Sequence, residues 1–261
     1  MTRLRLAILL VPVVILAMVA WHGGKLPVMA YRQFSELEQS VGTGFYQARI
    51  GAHRGDVIWS GRTSEKLVAL TFDDGPDPRF TPEVLDILEE DHVPATFFVV
   101  GKYAARYPDL VVREIQDGNE VGNHTYDHPN LLRDNPEQIR AEISDAGAII
   151  EEITGKPLAL FRPPKGLINR AGLEIAREQG YKIVFWGVAT EHREAPTPDL
   201  MAARVIRQAR PGIIILAHDG RLDRSKTVAA LPAIIKGYQA MGYRFVTVSQ
   251  LMAQATRTGA R

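Results

Sequence analysis

Two neighbouring carboxylates, Asp73 and Asp74, end an apolar stretch of the sequence. The run Leu67-Val68-Ala69-Leu70-Thr71-Phe72 precedes them and Gly75-Pro76 follows, which predicts a buried strand that ends in a sharp turn. Two adjacent negative charges at a buried strand end need compensation, because burying an unpaired charge is costly. A bound cation would supply it, although an Asp-Asp-Gly-Pro sequence by itself is more often an ordinary turn.

A pair of histidines, His124 and His128, supplies further side chains of the kind that bind metals. In a helical turn, residues at this spacing would direct both imidazoles to the same side, which is a common way to hold a metal. Together with Asp74 they give two nitrogen ligands and one oxygen ligand, the three-ligand pattern of a catalytic zinc with an open position. Histidine pairs at this spacing also occur by chance on surfaces, so the prediction depends on all three residues lying together.

The elements that must position these residues alternate regularly after residue 66. Seven apolar runs predict strands, and helical patterns lie between them. The predicted strands are Leu67–Phe72, Ala95–Val100, Glu120–Asn123, Leu158–Phe161, Tyr181–Val188, Ile213–Ala217 and Tyr243–Val248. This alternation predicts an α/β domain of parallel strands, either a barrel or a doubly wound sheet.

Polar residues follow several of these strands: Asp73 and Asp74 the first, His124 the third, Arg162 the fourth and His218 the sixth. In a barrel these positions lie on one face, at the carboxyl ends of the strands, where barrel active sites are built. Because seven strands are fewer than a closed eight-stranded barrel needs, we expect a distorted (β/α) barrel. In isolation, Arg162 is more typical of a loop ion pair, and His218 is equally consistent with a core histidine.

Helix boundaries are marked by residue types that favour them. Thr81-Pro82-Glu83, Asn135-Pro136-Glu137 and Thr197-Pro198-Asp199 each offer an N-cap, a proline at the first helical position and an acid in the first turn. Glycines stand where the helices should end. These glycines are Gly118, Gly155, Gly180 and Gly242.

Five blocks of the sequence resemble the polysaccharide deacetylases that share the nodulation-type deacetylase domain, carbohydrate esterase family 4. The blocks are Thr71-Phe72-Asp73-Asp74-Gly75-Pro76, His124-Thr125-Tyr126-Asp127-His128, Arg162-Pro163-Pro164 with Gly166, Trp186, and Leu216-Ala217-His218-Asp219-Gly220. They occur in the order and spacing of that family, and the resemblance extends from about Lys66 to Met252. It implies a distorted (β/α) barrel, in agreement with the alternation of strands and helices.

The resemblance implies a role for each matching residue. Asp74, His124 and His128 match the metal ligands, and a site of two imidazoles and one carboxylate favours Zn²⁺, with Co²⁺ or Ni²⁺ able to replace it. Asp73 matches the catalytic base that takes a proton from the attacking water. Arg162 matches the residue that holds this carboxylate in place.

Three further positions match the family's leaving-group and substrate residues. His218 matches the general acid that protonates the leaving amine, and histidine titrates in the useful range. Lys165 stands where the family usually has a tyrosine whose backbone N–H is the oxyanion donor, so the backbone role is retained while the pocket wall becomes cationic. Trp186 is either a wall of the pocket or part of the core.

The sequence after Trp186 departs from the family pattern of two aspartates and a tryptophan. The matching positions are Ala189, His192 and Arg193. The aspartate that Ala189 replaces is expected to orient the general-acid histidine, so the orientation of this histidine must come from another group. Glu191 is a candidate for that role.

Composition and charge exclude several classes of function. The chain has 261 residues, 46% of them hydrophobic and 23% charged, which suits one large globular domain. With 31 Lys and Arg residues against 30 Asp and Glu residues, the net charge of +1 gives no indication of nucleic-acid binding. The absence of cysteine excludes disulfides and thiolate metal sites.

The N-terminal segment predicts a membrane anchor or an export signal. Residues 6–24 are uncharged and largely apolar, follow Arg3 and Arg5, and as a helix would be about 28 Å long, close to the ~30 Å hydrocarbon core of a bilayer. They are either an uncleaved anchor in the membrane or a signal peptide cleaved after Val28-Met29-Ala30. Both readings place the remaining chain in the cell envelope, outside the cytoplasm.

The chain is accordingly divided into three parts. Residues 1–24 are the predicted signal or anchor, residues 25–65 a tether with an edge element, and residues 66–255 the catalytic domain.

These observations predict a metal-dependent hydrolase that removes N-acetyl groups from an amino-sugar polysaccharide, such as peptidoglycan, a chitooligosaccharide or an exported poly-N-acetylglucosamine. One alternative is a cyclic amide or imide hydrolase of the same fold. Another is a glycan-binding protein that has lost catalysis through its changes at Lys165 and Ala189. A glycosidase is disfavoured, because Asp73 and Asp74 are neighbours and cannot straddle a glycosidic bond at the separation of about 5 Å or more that it requires.

Overall fold

The structure is a computed structural model that describes residues 56–258. The predicted signal or anchor over residues 1–24, and the tether as far as residue 55, lie outside the described residues. Among the described residues, no helix is both long and apolar enough to cross a membrane.

A sheet of parallel strands confirms the predicted α/β alternation. Within residues 56–258, nine strands pair in the order β1-β6-β5-β4-β3-β2-β8-β7, and β9 pairs with the beginning of β2. The strands are β1 (Val57–Ile58), β2 (Leu67–Asp73), β3 (Thr96–Val99), β4 (Glu120–Asn123), β5 (Leu160–Phe161), β6 (Lys182–Val184), β7 (Val188–Ala189), β8 (Ile213–His218) and β9 (Arg244–Phe245).

Helices connect successive strands and cover the sheet. They are α1 (Phe80–Glu90), α2 (Gly101–Arg106), α3 (Pro108–Gln116), α4 (Pro136–Thr154), α5 (Arg170–Glu178), α6 (Pro198–Arg207), α7 (Ser225–Ala240) and α8 (Val248–Thr258), with a 3₁₀ turn at Pro164–Gly166.

The sheet is curled into a distorted (β/α) barrel. Strands β6 and β7 lie near opposite edges of the sheet, yet only residues 185–187 separate them in the chain. A segment from Val184 to Val188 spans at most about 14 Å, so the two edges must approach each other. The N–H of Gly61, just beyond β1, donates to the carbonyl of Gly212 at the start of β8 over 2.8 Å, which joins the edges directly.

Side chains along the central strand β2 alternate between the two faces of the sheet. Alternate residues of a strand face opposite sides of the sheet. Val68 and Phe72 pack in a core cluster with apolar residues of α1, α6 and α7, whereas Leu67 and Ala69 pack in a second cluster with other strands and α8. Asp73 has the same parity as Leu67 and Ala69, so the carboxylate at the end of β2 faces the side of the second cluster.

Two predicted strands differ most from the structure, while Leu158–Phe161 and Ala95–Val100 are shortened to Leu160–Phe161 and Thr96–Val99. The run Tyr181–Val188 does not form one strand but splits into β6 and β7, because the chain crosses between the two edges of the sheet there. The run Tyr243–Val248 keeps only Arg244–Phe245 as strand, because α8 begins at Val248. Thr247 and Gln250 start this helix with reciprocal bonds: the N–H of Thr247 donates to Oε1 of Gln250 (3.0 Å), and the N–H of Gln250 donates to Oγ1 of Thr247 (3.3 Å).

The predicted helix caps are confirmed at two of three places. Asn135 forms a capping box at the start of α4, and the Thr197 side chain caps α6. The prediction that Thr81 caps a helix is wrong. Helix α1 begins at Phe80, whose N–H donates to the Asp77 carboxylate over 3.1 Å, so Thr81 lies inside the helix.

Candidate active site

The predicted site residues meet at the carboxyl ends of the strands. Asp73 and Asp74 end β2, and the pairing of β2 with β8 places His218 directly opposite Asp73. His124 follows β4 and Arg162 follows β5. The sequence-based prediction of a polar site at this face of the barrel is confirmed.

Asp74, His124 and His128 form a group that suits a metal ion. Their ligand atoms all lie within 4.8 Å of one another. The Nε2 atoms of His128 and His124 lie 3.1 Å and 3.8 Å from Oδ1 of Asp74. Ligands at 2.0–2.1 Å from a tetrahedral ion are about 3.3 Å apart, so small shifts would bring these atoms to coordination distance. Oδ1 of Asp74 is buried and, among the described residues, has no hydrogen-bond donor of its own, which fits an oxygen reserved for a cation.

A neighbouring carbonyl group prepares His124 for this role. Nδ1 of His124 lies 2.7 Å from the carbonyl oxygen of Arg162. Because a carbonyl only accepts, the proton is on Nδ1, and Nε2 presents its lone pair towards Asp74. Burial lowers the pKa of His124 to about 4, so its imidazole is neutral at physiological pH. Burial alone would raise the pKa of Asp74, but the close approach of the His128 ring and the charges of the neighbouring histidines hold it below its usual range.

The segment from His124 to His128 is a loop, which corrects the expectation of a helical turn. Thr125 and His128 have left-handed backbone angles, with φ of 66° and 61°. The loop is held by Glu142, whose Oε2 accepts from the N–H groups of residues 126 and 127 over 3.0 Å and 2.9 Å. The two rings therefore converge because of the turn of this loop, not because of helical periodicity.

Left-handed backbone is concentrated around the site. Asp74, Thr125, His128, Lys165 and Arg221 all have φ between 60° and 77°. Apart from these five, only one non-glycine residue among the described residues has a positive φ. Such conformations are costly outside glycine and persist where surrounding structure fixes them, commonly at active sites.

Asp73 is held by a buried arginine. Nη1 of Arg162 donates to Oδ1 of Asp73 over 2.6 Å and to Oγ1 of Thr71 over 2.8 Å, and the Arg162 side chain is fully buried. Its remaining donors reach the carbonyl groups of Val184 and Phe185. Arg162 is therefore not a loop ion pair. It fixes one oxygen of Asp73 and leaves the other, Oδ2, facing the histidine cluster.

Glu191 takes the place behind His218 that Ala189 cannot fill. Its Oε2 lies 3.0 Å from Nδ1 of His218, and the hydroxyl groups of Thr190 and Thr227 donate to its two oxygens over 2.6 Å each. Burial raises the pKa of Glu191, but the hydrogen bond and charge of His218 outweigh it and lower the pKa to about 2. Burial would lower the pKa of His218, but the hydrogen bond and charge of Glu191 outweigh this and raise it.

This pair predicts the pH profile of a Glu191→Gln variant. His218 must be protonated to act as an acid, so kcat/KM should fall as the pH rises through its pKa. Glutamine retains the size of glutamate but loses the charge that raises this pKa. We therefore expect the alkaline limb of the pH–rate profile to move to lower pH by about one unit, the effect of removing one neighbouring opposite charge. An alkaline limb at the parent position would show that Glu191 does not act on His218.

Lys165 and Trp186 lie together at the end of β5. Within the 3₁₀ turn, the N–H groups of Gly166 and Leu167 donate to the carbonyl groups of residues 163 and 164. The N–H of Lys165 takes no part in these hydrogen bonds. The Lys165 side chain is exposed. The Trp186 side chain is half-buried and packs both against Gly166 of this turn and against the second core cluster, and its ring lies 5.7 Å from the Arg162 guanidinium.

Two further buried residues escaped the sequence reasoning. Arg224 lies in the loop before α7, and its Nη2 donates to Oδ2 of Asp74 over 2.9 Å. Asp219 accepts from the Thr81 hydroxyl over 2.5 Å and packs so closely on Gly75 that a side chain there would collide with it, and burial raises the pKa of Asp219 to about 7. An arginine between polar residues looks like an ordinary surface residue in the sequence, and only the fold reveals its burial.

Known proteins resemble the chain across this whole region. The sequence profile described as polysaccharide deacetylase matches residues 60–184. A peptidoglycan-N-acetylglucosamine deacetylase from Bacillus cereus is 42% identical over 200 residues, which are 76% of this chain and 93% of that protein. A chitooligosaccharide deacetylase from a Bradyrhizobium species is 37% identical over 198 residues, which are 71% of this chain and 90% of that protein.

A solved structure shows that the likeness extends to the fold. The crystal structure of a peptidoglycan N-acetylglucosamine deacetylase matches with a TM-score of 0.76 and 36% sequence identity, over 79% of this chain and 97% of that chain. The similarity in sequence and fold thus includes the strands and loops that carry the site. The chain belongs to the polysaccharide deacetylase family, carbohydrate esterase family 4.

Proposed function

We propose that this protein is a metal-dependent hydrolase that removes N-acetyl groups from an amino-sugar glycan of the cell envelope. The observation that carries the proposal is the position of Asp73 beside the group of Asp74, His124 and His128, with His218 on the neighbouring strand end. We thus assign a base, a cation site and an acid to side chains at the carboxyl ends of the strands. Zn²⁺ suits the two nitrogens and one oxygen of the site, and Co²⁺ or Ni²⁺ is expected to replace it.

Asp73 acts as the general base in this proposal. Its Oδ2 lies 3.7 Å from Nε2 of His124, so it faces the place where a cation and the attacking water would meet. The Arg162 guanidinium donates to the other oxygen, Oδ1, over 2.6 Å, which leaves Oδ2 as the atom that accepts the proton. A bound divalent cation would contribute by lowering the pKa of water to about 7 and by polarising the acetamide carbonyl.

His218 acts as the general acid. Cleavage of an amide requires a proton on the departing nitrogen, because an unprotonated amide anion is a poor leaving group. Nδ1 of His218 is engaged by Glu191, so Nε2 is the atom that presents the proton to the amine. Burial lowers the pKa of His218, but the hydrogen bond and charge of Glu191 outweigh this and raise it, which favours the protonated form.

The 3₁₀ turn after β5 supplies the oxyanion site and part of the sugar-binding wall. The N–H of Lys165 lies outside the hydrogen bonds of this turn and is proposed as the donor to the developing oxyanion. The half-buried ring of Trp186 is proposed to border the acetyl group or the sugar. These two assignments place the substrate between β5 and the end of β2.

An exposed cation on the turn after β5 favours an anionic glycan. Lys165 is exposed and replaces an aromatic residue of the family pattern. Cations attract carboxylates, whereas the loss of aromatic faces removes stacking surface for neutral sugars. Peptidoglycan carries lactyl and peptide carboxylates, so it is the proposed substrate class in preference to neutral chitin oligomers.

A Lys165→Tyr variant tests this preference. It should lower kcat/KM on a peptide-bearing peptidoglycan fragment by about 2- to 5-fold, the effect of one partly exposed ion pair. It should leave kcat/KM on a neutral chitooligosaccharide unchanged or raise it. The parent's advantage on the charged fragment should shrink as salt rises, because exposed charges are screened over ~8–10 Å at physiological ionic strength. An equal salt response on both substrates would contradict the preference.

The proposed location follows from the N-terminal sequence. Residues 6–24 would anchor the chain in the inner membrane or direct its export, and residues 66–255 would form the catalytic domain outside the cytoplasm.

Acetate release tests the proposed activity. The full-length protein, loaded with Zn²⁺, should release acetate from peptidoglycan, from chitooligosaccharides or from poly-N-acetylglucosamine, and the ranking of the three identifies the substrate. A cyclic imide added in parallel tests the alternative hydrolase. No acetate from any of the three glycans, with binding to one of them retained, would favour a glycan-binding protein.

A further inference from the structure

Arg224 is a buried cation that contacts the site from behind. It lies in the loop between β8 and α7, and the residue is 8% exposed. Each nitrogen of its guanidinium has a different partner. Nε donates to the carbonyl of Gly220 over 2.8 Å, Nη2 donates to Oδ2 of Asp74 over 2.9 Å, and Nη1 lies 3.8 Å from Oε1 of Glu191.

The contact with Arg224 gives the two oxygens of the Asp74 carboxylate different partners. Oδ1 faces Nε2 of His128 and of His124, whereas Oδ2 is taken up by Arg224. A carboxylate held in this way offers a single oxygen in one direction. Groups that hydrogen-bond the ligands of a metal in this manner fix ligand orientation and commonly matter to affinity as much as the ligands themselves.

The contact with Glu191 reaches the acid side of the site. Oε1 of Glu191 faces Arg224, and Oε2 contacts Nδ1 of His218. At 3.8 Å the contact with Glu191 is an ion pair and not a hydrogen bond, so Arg224 supplies charge beside Glu191 while its hydrogen bond orients Asp74. The chain of contacts therefore runs from Asp74 through Arg224 and Glu191 to His218.

We propose that Arg224 is a positioning residue that fixes the metal-ligand carboxylate of Asp74 by a hydrogen bond and supports the charge of Glu191 by an ion pair. The inference rests on the proposed metal-dependent deacetylase function. Because Ala189 leaves His218 without the usual aspartate, Glu191 must reach His218 from another position in the chain, and Arg224 ties it to the metal-binding half of the site. A lysine at 224 has one ammonium group and cannot serve all three partners.

Arg221 provides a matched control on the same carboxylate. Its Nη1 lies 3.6 Å from Oδ1 of Asp74, but its side chain is 32% exposed. Arg221 therefore contributes charge near Asp74 without fixing the direction of the carboxylate. Removing it tests the effect of charge alone.

The experiment compares Zn²⁺ affinity in the full-length parent with that in Arg224→Met, Arg224→Lys, Arg221→Met and Glu191→Gln, by competition with a chromophoric chelator. Arg224→Met and Arg224→Lys should each bind Zn²⁺ about 10- to 100-fold more weakly. Arg221→Met and Glu191→Gln should stay within about threefold of the parent, since neither change frees Oδ2 of Asp74. Thermal unfolding identifies any variant that fails to fold, and the lysine variant, which keeps a buried cation, carries the test if the methionine variant does not fold.

A second measurement examines the link to Glu191. In saturating Zn²⁺, kcat of Arg224→Met should remain about 10-fold or more below the parent, because the support of Glu191 is lost as well. Parental Zn²⁺ affinity in a folded Arg224→Lys or Arg224→Met variant would overturn the proposal. A loss of affinity in Glu191→Gln as large as in Arg224→Met would also overturn it, since it would reflect general loosening of the loop. The affinities need no substrate, so they remain informative even if the parent released no acetate, which would refute the proposed function instead.

Discussion

Asp73→Asn is expected to lower kcat by about 10²–10⁴-fold while leaving Zn²⁺ binding intact. Asparagine has the size of aspartate but cannot take up a proton at neutral pH. Asp73 is not one of the three candidate ligands, and its Oδ1 is occupied by Arg162. The measurements are acetate release at saturating substrate and Zn²⁺ affinity by chelator competition.

Asp74→Ala is the control that separates base from ligand. It should lose both Zn²⁺ binding and turnover, because it removes the oxygen that faces the two imidazoles. If Asp73→Asn retained a kcat within a few-fold of the parent, the roles assigned to Asp73 and Asp74 would be wrong. If it lost Zn²⁺ as completely as Asp74→Ala, Asp73 would be a ligand and not a base.

His128→Asn is expected to abolish Zn²⁺ binding and turnover together. The substitution suits the left-handed backbone at this position, where φ is 61°, because asparagine tolerates such angles. Its amide is shorter than an imidazole and is a poor zinc ligand, so the three-ligand set is broken. Metal content after dialysis and acetate release at saturating substrate measure the two losses.

His92→Asn is a matched control for this variant. His92 also has a left-handed backbone, with φ of 53°, but it is exposed and follows α1, away from the strand ends that carry the site. Parent-like metal content and turnover are expected for it. A His128→Asn variant that kept stoichiometric Zn²⁺ and parental turnover would remove His128 from the metal site.

Much of the fold and the main site residues were predictable because they depend on simple patterns. The β2 run is apolar throughout and ends in two aspartates, so burial and the position of the carboxylates follow from the same stretch. Parallel strands share one carboxyl edge, so residues as distant in sequence as Asp73 and His218 are brought opposite each other. The caps at Asn135 and Thr197 are local and were predicted from local sequence.

Other features depend on tertiary contacts that the sequence does not display. The loop from His124 to His128 turns through left-handed residues and is held by Glu142 from α4. The two imidazoles converge because of this turn, and the helical spacing that the sequence suggested does not explain it. Arg162 is a buried partner of Asp73 only because the sheet is curled, since β5 lies three strands from β2 in the strand order.

Glu191 contacts His218 although it does not stand at the position of the family's aspartate. Ala189 lies in β7 and provides no carboxylate, while Glu191, two residues later, reaches Nδ1 of His218 and is held by Thr190 and Thr227. Position-by-position matching identifies the loss at Ala189 and offers Glu191 only as a candidate replacement. The distance of 3.0 Å between Oε2 of Glu191 and Nδ1 of His218 is the observation that supports this candidate.

The most direct measurement is the stoichiometry of acetate and free amine released from an N-acetylated glycan by the full-length protein, before and after metal removal. Metal-dependent N-deacetylation predicts one acetate for each new amine, no release from the chelated protein, and recovery when Zn²⁺ is restored. Release at the parental rate from thoroughly chelated protein would contradict the metal-dependent mechanism. No release of acetate and amine from any N-acetylated glycan by the Zn²⁺-loaded protein would contradict the deacetylase function itself.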